Sequence, residues 1–116
     1  MQEAKPAELL RIQISESDRY GGKPLHEVII AKCRELKVAG ASVFQGLEGF
    51  GGSAEMHRAH FVRSDRPILI TVVDTAESIG RLIPAVAELM DTGIMASSPV
   101  QMIRVQKGAA NADKGG

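Results

Sequence analysis

The stretch Ile68-Leu69-Ile70-Thr71-Val72-Val73, followed by Asp74-Thr75-Ala76-Glu77, decides most of the architecture. A run this apolar and this rich in β-branched residues has the character of a strand inside a sheet. Asp74 and Glu77 stand three apart, as the ends of a capping box do, so Asp74 is the predicted helix N-cap. Ile79, Leu82, Ile83, Val86, Leu89 and Met90 then recur at helical spacing. Pro84 interrupts that stripe and removes the backbone bond to the Gly80 carbonyl, so a bent helix is expected. Gly93 follows its end.

Upstream of this strand, Ser64-Asp65-Arg66-Pro67 breaks a strand-like pattern over His57 to Val62. Before that comes a glycine-rich segment, and before it Ala41 to Gln45 reads as a strand. Leu25, Val28, Ile29, Cys33 and Leu36 mark a helix over Pro24 to Val38, with Pro24 in its first turn and Gly40 as its stop signal. Leu10, Ile12 and Ile14 alternate with Arg11 and Gln13, the period of a strand. Downstream, Val100 to Gln106 is the predicted last strand.

The order is strand, helix, strand, strand, helix, strand, which is the split βαβ plan. It predicts an α+β, ferredoxin-like βαββαβ sandwich, an antiparallel four-stranded sheet with both helices on one face. Residues 1–8 are polar and expected to be flexible, 9–106 form the domain, and 107–116 read as a flexible tail. The central strand is apolar on both faces, with Ile68, Ile70 and Val72 on one and Leu69 and Val73 on the other. Two helices cover only one of these faces, so self-association is the expected cover for the other.

At 116 residues the chain is the length of one domain. Its 14 basic and 14 acidic residues balance, and no basic stripe appears, which argues against a nucleic-acid partner. Cys33 is the single cysteine, so neither an internal disulfide nor a Cys-based zinc site is expected. No signal-like leader and no long apolar run is present. The expectation is a cytoplasmic protein without direct membrane insertion.

The segment Gly46-Leu47-Glu48-Gly49-Phe50-Gly51-Gly52-Ser53 is the most informative candidate site. Its glycines free the backbone to present N–H groups to an anion. No Gly-Lys-Ser/Thr follows, so it is not a P-loop, and no helix follows to make a dinucleotide fingerprint. A plain connection or a bulge remains open beside a ligand-binding role. His57 and His60 fall on opposite faces of a strand, so within one chain they do not jointly hold a metal. Ser17, Asp18 and Tyr20 precede the first helix, where Ser and Asp commonly bond local backbone. Arg104 stands in the predicted last strand, where a charge either reaches solvent or meets a partner. No nucleophile–base pair stands out, so no catalytic residue is assigned.

Taken together, Glu16-Ser17-Asp18-Arg19-Tyr20, Gly22-Lys23-Pro24-Leu25, Ala39-Gly40-Ala41-Ser42-Val43, Gly46-Leu47-Glu48-Gly49-Phe50-Gly51 and Val72-Val73-Asp74-Thr75 closely resemble the family catalogued as domain of unknown function 190, from about Leu9 to Val105. That family is similar to the PII signalling proteins. The resemblance implies a homotrimer that binds an adenine nucleotide between subunits and reports it to a partner protein through the segment after the second strand. It implies ligand contacts from Ser42, Gly49, Phe50, Gly51, Gly52 and Arg104. Arg104-Val105-Gln106-Lys107-Gly108 is similar to the Arg-Ile-Arg-Thr-Gly ending of a PII core, with Gln106 in place of the second Arg. Asp91-Thr92-Gly93-Ile94-Met95 replaces the phosphate-gripping turn, and Ile68 stands where a Lys is expected. AMP or ADP is therefore favoured over ATP. A membrane transport protein is the partner class the resemblance implies. The alternatives are a trimeric metal-binding protein similar to the CutA family, resting on His57 and His60, and a small enzyme using the inter-subunit cleft.

Overall fold

The computed structural model describes residues 3–49 and 65–107. Four strands form one antiparallel sheet: β1 (Lys5–Ser15), β4 (Ala41–Gln45), β5 (Pro67–Asp74) and β6 (Ile94–Met102). Their spatial order is β4-β5-β1-β6. Two helices connect them, α1 (Leu25–Glu35) and α2 (Ala76–Ala87). A two-residue pair, β2 (Arg19–Tyr20) and β3 (Lys23–Pro24), closes a tight hairpin before α1. Its turn residues Gly21 and Gly22 have φ of 60° and 84°. Two consecutive positive angles suit a mirror-image turn that glycine adopts without steric cost. This is the ferredoxin-like α+β arrangement that the order of elements predicts.

Alternation decides which side of the sheet is core. Leu10, Ile12 and Ile14 of β1 and Ile68, Ile70 and Val72 of β5 point at the helices and are buried. Leu25, Ile29 and Cys33 of α1 and Ile79, Leu82 and Val86 of α2 meet them in one aliphatic cluster. Leu10, Ile12, Ile29, Ile70, Leu82 and Val86 have no accessible surface. Full burial of each contributes roughly 1.5–3 kcal/mol.

Several boundaries differ from the sequence expectation. β1 begins at Lys5, inside the segment expected to be flexible, because Lys5, Pro6 and Ala7 pair with Met102, Gln101 and Val100. β6 spans Ile94–Met102 rather than Val100 to Gln106. Ile94-Met95-Ala96-Ser97-Ser98-Pro99 lacks a strand-like pattern, and its extended form comes from pairing with Ile12, Arg11 and their neighbours. Pro99 is tolerated because β6 is an edge strand. The strand expected over His57 to Val62 lies outside the described residues, as does the tail from Gly108.

The cap of α2 is also different. Thr75, not Asp74, is the N-cap, and its hydroxyl accepts from the Ser78 N–H at 3.0 Å. Asp74 instead accepts from the backbone of Ala39 at 2.9 Å and of Thr75 at 2.7 Å, tying the end of the α1 connection to the end of β5. Helix α2 continues through Pro84 to Ala87. Helix α1 stops before Gly40. Val38 N–H donates to the Cys33 carbonyl at 3.1 Å and Lys37 N–H to that of Arg34 at 3.0 Å, the paired bonds of a Schellman ending. Lys37 takes the left-handed position with φ of 59°. After α2, Gly93 turns the chain into β6 with φ of 129°, and a Cβ there would sit 2.8 Å from the Gln13 carbonyl oxygen.

Candidate functional site

The glycine-rich segment leaves the sheet at Gly46 and returns at Asp65, so its two ends are neighbours. Gly46 N–H donates to the Pro67 carbonyl at 2.8 Å, and a Cβ on Gly46 would meet the Pro67 ring at 2.8 Å. Gly49 also lies against that ring, with its notional Cβ at 3.4 Å. Phe50, Gly51 and Gly52 lie outside the described residues, as do His57 and His60 on which the metal reading rests.

A polar knot from the end of β1 holds this base closed. Glu16 accepts from the Gln45 side-chain amide at 2.8 Å and from Arg66 N–H at 3.4 Å, while its own N–H donates to the Arg66 carbonyl at 2.8 Å. Ser17 donates to the Asp65 carboxylate at 2.8 Å, and the Ser15 hydroxyl donates to the same oxygen. Asp18 works locally, as expected for a turn residue. Its carboxylate accepts from Ser15 N–H and its carbonyl from Leu25 N–H, both at 2.8 Å. Sequence reasoning placed Ser17 in the same local role. Its partner is 48 residues away, and no local pattern announces a contact that distant.

Ser42 and Arg104 are not brought together within one chain. Ser42 lies in β4, exposed on the helix-free face, and pairs with Thr71. Arg104 lies beyond the end of β6, not inside a strand, and is exposed. β4 and β6 are opposite edges of the sheet, about 14 Å apart at about 4.8 Å per strand. Through Thr71 and Arg11, Ser42 is level with Ala96. Met102, where β6 ends, is displaced about 20 Å farther along the strand direction, at about 3.3 Å per residue. Ser42 and Gly49 thus mark one corner of the molecule, and Arg104 marks the diagonal one.

The Arg104 corner is a projecting ribbon. β5 pairs with β1 only as far as Glu8, whereas β6 accompanies it to Lys5. Ile103 and Val105, on either side of Arg104, expose 58% and 64% of their surface. A two-stranded ribbon has little stability of its own in water, so this one calls for a cover. On the helix-free face, Phe44 and Ile94 are about half exposed, at 53% and 50%.

The turn from α2 into β6 lines an open depression formed by Ala87, Met90, Asp91, Thr92, Gly93 and Met95. It offers one carboxylate and no cation, which does not suit a polyphosphate. Cys33 is buried among aliphatic side chains, and that burial pushes its thiol pKa up, away from nucleophilic reactivity. Among the described residues no cluster of His, Cys, Asp and Glu could hold a metal, and no helix is long and apolar enough to cross a membrane.

This fold, a four-stranded sheet with two helices on one face and a glycine-rich excursion after β4, is that of the PII-like proteins. Residues 7–102 match the DUF190 family, described as an uncharacterized ACR, and the chain belongs to that family. A UPF0166 protein of Aquifex aeolicus is 32% identical over 77 residues, covering 65% of this chain and 73% of the relative. CPII from Thiomonas intermedia K12, in its structure bound to ADP, AMP and acetate, superposes with a TM-score of 0.64 at 19% identity, over 88% of this chain and 93% of CPII. A PII-like signaling protein from Thermus thermophilus superposes with a TM-score of 0.59 at 13% identity, over 92% and 97% of the two chains.

Proposed function

We propose that this chain is a PII-like sensor that assembles as a cytoplasmic homotrimer and binds an adenine nucleotide between its copies. The observation that carries this reading is the diagonal separation of Ser42 and Gly49 from Arg104. Residues at opposite corners of one chain meet when the β4 edge of one copy lies beside the β6 ribbon of the next. Such head-to-tail contacts close into a ring. They also cover the ribbon and the helix-free face. The binding of ADP and AMP by CPII supports the choice of ligand class.

In this reading Ser42 and Gly49 to Gly52 come from one copy and Arg104 from its neighbour. The cation-free depression beside Asp91 favours AMP or ADP over ATP. Ordering of the glycine-rich segment costs entropy, so the nucleotide must contact it directly to shift its population. A membrane transport protein is the proposed recipient of that signal, with no role in catalysis for this chain.

The test is subunit complementation, read by calorimetry with AMP and by light scattering. Ser42→Ala and Arg104→Ala variants each bind AMP at least tenfold more weakly than the unaltered protein. Unfolded together and refolded as mixed trimers, they recover wild-type affinity at a fraction of sites. Mixed assemblies with no recovered site would place both residues in one subunit and refute the shared cleft. A monomeric mass would refute the assembly itself.

A further inference from the structure

The helix-free face carries a charge that nothing within the chain accounts for. Arg11 lies at the middle of β1, opposite Thr71 on β5 and Ala96 on β6. Thr71 is in turn opposite Ser42 on β4. One cross-strand row therefore runs Ser42–Thr71–Arg11–Ala96, with two hydroxyls beside a guanidinium. The rows on either side are largely apolar: Leu9 faces Val73 in one, and Leu69 faces Phe44 in the other.

Arg11 makes no hydrogen bond or ion pair among the described residues. The strands offer it no carboxylate on this face. Glu8 and Asp74 are the acidic residues of β1 and β5, and they stand opposite each other on the helix side, in phase with Leu10 and Val72. A symmetric assembly that turns this face inward brings equivalent Arg11 side chains around its axis. Charges taken out of water without a counter-charge are strongly unfavourable. A guanidinium presents a fork of donors that fits a tetrahedral oxyanion, which chloride does not match, and flanking hydroxyls complete the coordination.

We infer that Arg11, Thr71 and Ser42 form a phosphate-type oxyanion site on the helix-free sheet face, enclosed only when copies of the chain assemble. The site rests on the assembly reading above. It differs from the shared cleft, because its cation is Arg11 rather than Arg104. The oxyanion is inorganic phosphate or the phosphoryl group of a nucleotide lying along the row from Ser42.

The experiment uses the full chain in chloride buffer and follows mass by light scattering and affinity by calorimetry. The probes are inorganic phosphate, AMP and adenosine. Free phosphate as the natural occupant gives saturable phosphate binding that Arg11→Gln weakens at least tenfold. A nucleotide phosphoryl group gives an AMP affinity that falls tenfold in Arg11→Gln, with adenosine affinity unchanged. Thr71→Val keeps the β-branched shape and removes the hydroxyl, so it weakens the same probe without lowering the mass. It also serves if Arg11→Gln does not fold. An assembled protein whose phosphate and AMP affinities ignore both variants would overturn the site while leaving the assembly standing. Dissociation of Arg11→Gln whatever the anion would overturn it too, by assigning Arg11 to a carboxylate of another copy. A monomeric unaltered chain overturns the assembly, and the enclosed site with it.

Discussion

Glu16 accepts a 2.8 Å hydrogen bond from the Gln45 side-chain amide, joining the end of β1 to the end of β4 across the strand that lies between them. Its other oxygen takes the Arg66 N–H, so one carboxylate holds both ends of the glycine-rich segment. Glu16→Ala removes both bonds. These groups are partly solvated, so the expected cost is about 0.5–1.5 kcal/mol, read as a Tm lowered by several degrees. Proteolysis within residues 46–64 should accelerate by more than the stability loss accounts for. An unchanged cleavage rate would mean that the knot does not govern the segment.

Phe44 exposes 53% of its surface beside Leu69 on the helix-free face. Phe44→Asp places a charge there at little cost to a single chain, but in the middle of a proposed subunit contact. The expected outcome is a mass reduced from assembly to monomer in light scattering, with the circular dichroism spectrum retained. A variant that keeps its assembled mass would show that this face is not buried between copies.

Lys37 occupies a left-handed backbone position at the end of α1, where a side chain is strained and glycine is not. Lys37→Gly should therefore stabilise the protein by about 1 kcal/mol, seen as a rise in the denaturant midpoint at constant m-value. A lower midpoint would mean that the lysine side chain contributes more than its backbone strain costs.

Burial raises the pKa of Cys33, which is 2% exposed. The folded state therefore favours the protonated thiol. The sign follows: the stabilisation is full below the unfolded thiol value of about 8.5 and is lost as pH rises through the folded value. Tm should decline through the alkaline range more steeply for the native protein than for Cys33→Ala. The thiol should react with a disulfide reagent only as fast as the chain opens. Rapid stoichiometric labelling of the native protein would contradict this placement.

The fold was legible because its signals are local. Alternation over Leu10, Ile12 and Ile14, the unbroken run from Ile68, and the helical stripes through Ile29 and Leu82 each report which way a side chain points. Burial follows that direction. The candidate site was legible only as a set of residue types. Ser42, Gly49 and Arg104 could be singled out, but their positions on opposite corners are a property of the β4-β5-β1-β6 order. Arg11 and Glu16 escaped notice as functional positions for the same reason. One is unusual only because its sheet face lacks a carboxylate, the other only because Gln45 and Arg66 converge on it.

The sequence by itself determined the element order, the aliphatic core and the turn at Gly21-Gly22, since periodicity and backbone freedom act within a few residues. Tertiary structure alone decided that Ile94 to Pro99 is a strand, that Thr75 rather than Asp74 caps α2, and that Asp74 turns to Ala39 instead. Each of these depends on a hydrogen-bonding partner that the packed sheet supplies. A backbone or carboxylate group takes the partner that folding brings within reach, and local spacing does not encode that choice.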